Sequence, residues 1–215
     1  LPAAIAEHPG YHCQELAESF SVKINPVGQP GLRINYRVPA TFLARADNAR
    51  LLFGHHSVIL SNDTVLLEGL TYSQKRRRWD GPCYAYISNK DTILATLPPP
   101  EPGIEGEAKL LGGSVNYYHN VVDWLSGLPT ILEHPELVDL PVLVARDTPV
   151  SVIEILEMFG LARERLRLLT PGLYPVERLW IPSLARGRLG CVSPKYLEFL
   201  EERLFSRFRT PRIRG

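Results

Sequence analysis

Gly112-Gly113-Ser114-Val115-Asn116-Tyr117-Tyr118-His119-Asn120-Val121-Val122-Asp123-Trp124-Leu125 opens the part of the chain whose element order decides the fold. Two glycines, two asparagines, two tyrosines, a histidine and an aspartate crowd into this stretch. It then enters a helical pattern over Tyr117–Leu132, with apolar residues at Val121, Val122, Leu125, Leu128 and Ile131. Just before it, Glu107–Leu111 reads as a strand. Beyond it, Leu140–Ala145 is a continuous apolar strand, and Ser151–Phe159 is a helix started after Pro149 and stopped at Gly160. Leu166–Leu169 and Glu177–Pro182 read as further buried strands, and Pro194–Phe208 as a charged amphipathic helix. A βαβαβ succession with short connections predicts a parallel sheet covered by helices. The fold class expected is α/β, with a Rossmann-like unit over residues 107–215.

Upstream the pattern differs. Residues 97–106 carry Pro98, Pro99, Pro100 and Pro102, which bar regular structure and predict a stiff connector. Residues 1–96 form an arm followed by a small antiparallel β region. Thr41–Ala44, Ala49–Phe53, Ser57–Leu60 and Val65–Leu67 read as short strands, separated by turn signals at Asp47-Asn48, Gly54 and Asn62-Asp63. A short helix is expected around Cys13–Phe20. Asn62-Asp63-Thr64 has the form of a glycosylation acceptor, but its composition fits a polar hairpin turn better. Lys75-Arg76-Arg77-Arg78 could bind phosphate or an acidic partner. The turn-forming Trp79-Asp80-Gly81-Pro82 behind it favours a solvated loop.

The whole chain excludes several classes. Its 215 residues carry a formal charge of +1, which gives no electrostatic case for nucleic acid. No apolar run is long enough to span a bilayer, and no signal-peptide pattern is present. Cys13, Cys83 and Cys191 are odd in number and far apart, so neither a disulfide framework nor a zinc site is expected. His8 and His12 lack a convergent third ligand. His55-His56 would point to opposite faces of a strand. His134-Pro135 marks a helix end, and no Gly-x-Ser-x-Gly elbow supports an α/β-hydrolase.

The chemistry therefore concentrates in the quoted stretch. On a helix, His119 and Asp123 share one face, one turn apart. A carboxylate there can orient the imidazole and raise its basicity, or act as base itself. Gly112 and Gly113 would leave backbone open to close approach. Asn116, Tyr117, Tyr118 and Asn120 offer neutral hydrogen-bonding groups and flat apolar faces, a mixture suited to sugars. The competing structural reading makes Asn116 a helix N-cap, the tyrosines core residues and His119–Asp123 a surface pair.

Asn116-Tyr117-Tyr118-His119, followed by Asp123, Leu125, Leu128 and Pro129, resembles the Asn-Tyr-Tyr/Phe-His-x-x-x-Asp-x-Leu-Pro signature of glycosyltransferase family 61. That family includes bacterial capsular polysaccharide enzymes and eukaryotic xylosyl- and N-acetylglucosaminyltransferases. Ala49–Leu67, Leu140–Ala145, Met158-Phe159-Gly160 and Leu179-Trp180-Ile181-Pro182-Ser183 follow the family's order, and the resemblance covers roughly residues 40–210. Two positions depart from it: Asn120 stands where tryptophan is frequent, and Ser126-Gly127 push Pro129 further from Asp123.

The resemblance implies the acceptor-side, Rossmann-like lobe of a GT-B-type glycosyltransferase. Such an enzyme transfers a sugar from a nucleotide-sugar donor to a hydroxyl of a glycan or glycoconjugate. It implies Asp123, assisted by His119, as general base, with Gly113, Asn116, Tyr117, Tyr118, Asn120 and Trp124 shaping the acceptor site. The donor would bind mainly in a C-terminal lobe with a Tyr-x-Ser-Arg strand and a His-Gly-Ala-Gly-like loop, neither of which occurs before Gly215. The chain thus reads as an N-terminal portion, inactive in isolation. With no Asp-x-Asp triplet, a metal-independent, inverting reaction with no cofactor is expected. Cysteine usage points to a cytoplasmic or membrane-peripheral bacterial-type protein; a eukaryotic member would work in the secretory lumen. The alternative is a non-catalytic α/β module that binds carbohydrate or protein, favoured if the reading frame stops at Gly215.

Overall fold

The computed structural model describes residues 9–17, 20–24, 34–38, 41–54, 57–66, 94–95, 97–183 and 194–205. Ten strands are described: β1 (Tyr11–Ala17), β2 (Phe20–Ile24), β3 (Ile34–Val38), β4 (Thr41–Phe53), β5 (Ser57–Ile59), β6 (Val65–Leu66), β7 (Ile104–Gly112), β8 (Val142–Ala145), β9 (Leu166–Leu169) and β10 (Gly172–Pro182). Eight form one mixed sheet in the order β6-β5-β4-β10-β7-β8-β9, with β1 also on β4; β2 and β3 form a separate hairpin. β10, β7, β8 and β9 run parallel to one another. Antiparallel β4 lies along β10 from Gly172 to Pro182, so the strands before and after the proline-rich segment share one sheet.

Tertiary pairing overrides three local signals, the first in the proline-rich connector expected to bar regular structure, whose residues Ile104, Glu105 and Gly106 open β7, with Ile104 paired to Val176 of β10. The short helix expected around Cys13–Phe20 is absent: Tyr11–Ala17 is a strand paired with β4, and Phe20 opens β2. Tyr11 and Cys13 turn inward, while His12 and Gln14 are exposed. Asp47-Asn48, expected as a turn, lies within β4. Asn48 takes a φ of +51°, which asparagine tolerates better than most residues, while Asp47 and Ala49 on either side pair with β10. The Asn62-Asp63-Thr64 turn does join β5 to β6, with the Thr64 amide donating to Asn62 Oδ1 at 3.0 Å. Lys75–Arg78, His8, His55, His56, Cys83 and Cys191 lie outside the described residues.

Helices pack on one face of the parallel strands. α1 (Leu128–Glu133), α2 (Val150–Met158) and α3 (Pro194–Leu200) bury Leu128, Ile131, Val152, Leu156, Tyr196 and Phe199 against Leu111, Val142 and Val144. The opposite face carries a core drawn from β4 to β10, including Ala46, Phe53, Leu110, Leu143, Leu169 and Tyr174. β9 and β10 stand three places apart in the sheet, yet the Tyr174 hydroxyl donates to the Thr170 carbonyl at 3.1 Å. The sheet is therefore curled rather than flat. A register shift between Val176 and Arg178, beside Gly106 at φ +70°, is the kind of bulge that bends strands.

The helical face is not wholly apolar. Away from the helices, Arg45, Asp47, Glu107, Arg178 and Trp180 form a surface network. The Trp180 indole donates to Glu107 at 2.8 Å and, with Arg178, holds that carboxyl below its usual range. Beneath the helices, Lys109 is fully buried, with Nζ donating to the Leu137 carbonyl at 2.5 Å. Burial, and then the nearby Arg165, lower this ammonium from 10.5 to about 8, against a smaller opposing effect of Asp139.

A lysine with a folded-state pKa below its unfolded value gains protons on unfolding at intermediate pH, so stability rises with pH there. The cost of burying Lys109 is full below pH about 8 and fades toward 10.5. Relative to Lys109→Met, the wild type should gain on the order of 3 kcal/mol across that interval in urea unfolding. A pH-independent difference between the two would contradict this account of Lys109.

Candidate functional site

The stretch quoted first leaves the sheet at the carboxyl end of β7, the edge where ligands bind in open α/β sheets. Gly112 and Gly113 have φ of +89° and +136°. A Cβ on Gly112 would lie 2.6 Å from the Trp124 ring, and one on Gly113 would lie 2.5 Å from Thr148 Oγ1. Both glycines are thus packing sites, and the space expected to admit a ligand is filled by protein. Trp124 is buried in that packing and does not face an open pocket. The segment also meets the ends of its neighbours: Gly113 abuts Ala145 at the end of β8, and Gly127 abuts Pro182 at the end of β10.

The expected single helix over Tyr117–Leu132 is instead four successive turns. Tyr117–His119 is α-helical, Asn120–Trp124 is π-helical, Leu125–Gly127 is 3₁₀, and α1 follows. The π turn is closed by the Leu125 amide donating to the Asn120 carbonyl. Asn116 caps the start, its Oδ1 accepting from the Tyr118 amide at 3.0 Å and the His119 amide at 3.4 Å. Asn120 is buried and ties the loop down. Its Nδ2 donates to the carbonyls of Ser114 (2.6 Å) and Asn116 (2.9 Å), and its Oδ1 accepts from the Ser114 amide (3.1 Å). The two asparagine side chains therefore shape the turn with the polar atoms that were expected to meet a ligand.

Irregular turns leave carbonyls that a regular helix would occupy. The Ser126 hydroxyl donates to the Asp123 carbonyl at 2.5 Å, and the buried Tyr196 hydroxyl, from α3, donates to the Val121 carbonyl at 2.7 Å. The second contact is not legible in the local sequence, since Tyr196 stands 75 residues from Val121.

The turn brings together His119 Nδ1 and Asp123 Oδ2 at 2.8 Å, with side chains 35% and 14% exposed. Beside them Tyr117 and Tyr118 are 51% and 55% exposed, and Tyr118 meets the imidazole edge-on at 5.8 Å. In a neutral imidazole, a carboxylate on Nδ1 favours the tautomer with the proton there, which leaves Nε2 as an acceptor. The site thus consists of an oriented imidazole, its carboxylate partner and two exposed phenol rings. Under the turn, the Thr148 hydroxyl is buried without a hydrogen-bond partner among the described residues.

Other candidates fall elsewhere. His12 lies near Asp47 at 3.8 Å, and His134 pairs with Glu136 at 3.1 Å just past α1. Among the described residues no three histidine, cysteine or acidic side chains converge on one point. An open groove of about 320 Å³, lined by Asn48, Arg50, Gly103, Glu105 and Glu177, lies at the amino end of β7. It is separated from the His119 turn by the strand's length, roughly 25 Å. Compared with protein-family models, with curated proteins and with solved structures, the chain gives no match.

Gly112→Ala should destabilise the protein by about 2–4 kcal/mol, because both the positive φ and the Trp124 ring resist a Cβ. Urea unfolding followed by tryptophan fluorescence measures this. A loss within about 0.5 kcal/mol, the usual range of surface substitutions, would show that Trp124 does not hold the strand end.

Proposed function

We propose that this chain is the acceptor-side, Rossmann-like lobe of a GT-B-type glycosyltransferase similar to family 61. It would act on a hydroxyl of a glycan or glycoconjugate. The observation that carries the proposal is the His119–Asp123 pair, 2.8 Å apart and partly open to solvent, at the carboxyl end of β7. Exposed Tyr117 and Tyr118 beside it offer flat faces on which a sugar ring can stack. The π and 3₁₀ turns fall where Asn120 and Ser126-Gly127 depart from the family signature, so the irregular geometry and the sequence departure coincide.

The geometry favours a division of roles within the pair. Asp123 is the more buried partner, and its Oδ2 accepts from His119, so it orients the imidazole. His119 Nε2 then accepts the acceptor hydroxyl proton while the hydroxyl oxygen attacks the anomeric carbon. The bond from that carbon to the nucleotide diphosphate breaks as the new glycosidic bond forms, a single displacement with inversion. The leaving diphosphate would be held in the donor lobe by helix N-termini and basic side chains, without a metal. Tyr117 and Tyr118 would bind the acceptor; Gly113, Asn116, Asn120 and Trp124 would support the site from below. Among the described residues no helix is long and apolar enough to cross a membrane.

In a protein that joins this chain to the proposed donor lobe, His119→Ala and Asp123→Asn should each lower kcat/KM by about 10²–10⁴-fold. Because the two act as one unit, the double variant should be little worse than the poorer single one. The assay is sugar transfer from a panel of nucleotide sugars to neutral oligosaccharides. Near-normal turnover by either variant would reject the assignment. Saccharide binding that depends on Tyr117 and Tyr118, with no transfer by the wild type, would favour a non-catalytic binding module.

A further inference from the structure

We propose that Tyr196 is a positioning residue: by holding the Val121 carbonyl, its hydroxyl fixes the π-helical turn that brings His119 and Asp123 together. Val121 lies within the π turn Asn120–Trp124, between the two partners of the pair. Bonds spanning five residues widen a turn, so the relative facing of residues four apart depends on the turn being held in that form. Its backbone closes on itself, with the Leu125 amide donating to the Asn120 carbonyl at its end.

The Val121 carbonyl accepts a hydrogen bond from a side chain on α3, at 2.7 Å. Tyr196 is itself fixed. It is buried in the helical core and stacks on Phe199 at 6.5 Å between ring centroids, while Phe199 stacks on Phe159 at 5.1 Å. Burial pushes its phenol upward from the ordinary value, so the hydroxyl keeps its proton and remains a donor. The Val121 carbonyl is only partly buried, so on losing this donor it must turn toward water or find another partner, and either change bears on the turn. The Ser126 hydroxyl, bonded to the Asp123 carbonyl at 2.5 Å, holds only the far end of the turn. Asn120 holds its near end. Tyr196 is thus the contact at its middle, and it links the pair to α3.

The effect on turnover rests on the roles given above to His119 and Asp123; the coupling between Tyr196 and the pair does not. The test therefore reads the pair directly, by imidazole nitrogen NMR of the wild type, Tyr196→Phe and a chain with 4-aminophenylalanine at position 196. In the wild type, His119 should show a protonated Nδ1 held in a hydrogen bond. Tyr196→Phe should lose at least half of that signal while keeping a cooperative melting transition. The amino group, which restores a donor at the same place, should bring the signal back. An unchanged His119 signal in Tyr196→Phe, or no recovery with the amino analogue, would overturn the proposal.

If Tyr196→Phe has no melting transition, hydrogen exchange of the wild type decides. The Leu125 amide should then exchange together with the amides of α3, and independent, faster exchange of Leu125 would overturn the coupling. A positive NMR result with unimpaired turnover in Asp123→Asn would leave the positioning role standing and remove the catalytic one.

Discussion

The rest of the structure depends on the contact between the Trp124 ring and the bare Cα of Gly112. It fixes where the chain turns from β7 into the helical segment, and it does so by steric exclusion. A side chain at Gly112 would have to displace a buried indole from a filled core. Once Trp124 is set, the residues before it are confined to a few turns above the carboxyl ends of β7, β8 and β10. The crowding of polar residues there follows from geometry as well as chemistry. A short segment must leave the strand end, satisfy the loop of Ser114 to Asn116 and cap a helix, all before the π turn Asn120–Trp124 ends.

That division of labour decides which residues remain available to a ligand. Asn116 and Asn120 are used internally, as cap and as knot. Trp124 is buried. His119, Asp123, Tyr117 and Tyr118 remain, the two tyrosines exposed and the other two partly open to solvent. A pair joined at 2.8 Å, on a turn held by Ser126, Asn120 and Tyr196, is pre-organised rather than assembled on binding. Exposure limits what the pair contributes to stability, since ion pairs near the surface are worth at most about 1 kcal/mol.

Much of this was legible in the sequence. The strands at Leu140–Ala145 and Leu166–Leu169 and the helix between Pro149 and Gly160 follow from continuous apolar runs and from local stop signals. The N-cap at Asn116 and the facing of His119 and Asp123 follow from spacing. What escaped was whatever tertiary contacts decide. The strand at Tyr11–Ala17 exists because β4 offers it an edge. The turn residues Asp47-Asn48 extend because β10 pairs on either side of them. The purpose of the two glycines depends on Trp124 and Thr148, which fold back onto them from later in the chain. The irregular helix carries no local mark except the Ser126-Gly127 spacing, and its support from Tyr196 comes from the far end of the domain. The curl of the sheet, made by bends in β7 and β10, has only Gly106 as its trace in the sequence.

We propose that the carboxyl edge of β7, and not the groove at its amino end, is where this protein meets a ligand. The most direct test is a backbone amide NMR titration of the wild-type chain with neutral oligosaccharides. Shifts confined to residues 113–119 and to the His119 and Asp123 signals are predicted, with residues Asn48, Gly103 and Glu177 unmoved. Shifts centred on that amino-end groove, or none at the His119 turn with any saccharide at millimolar concentration, would contradict the account.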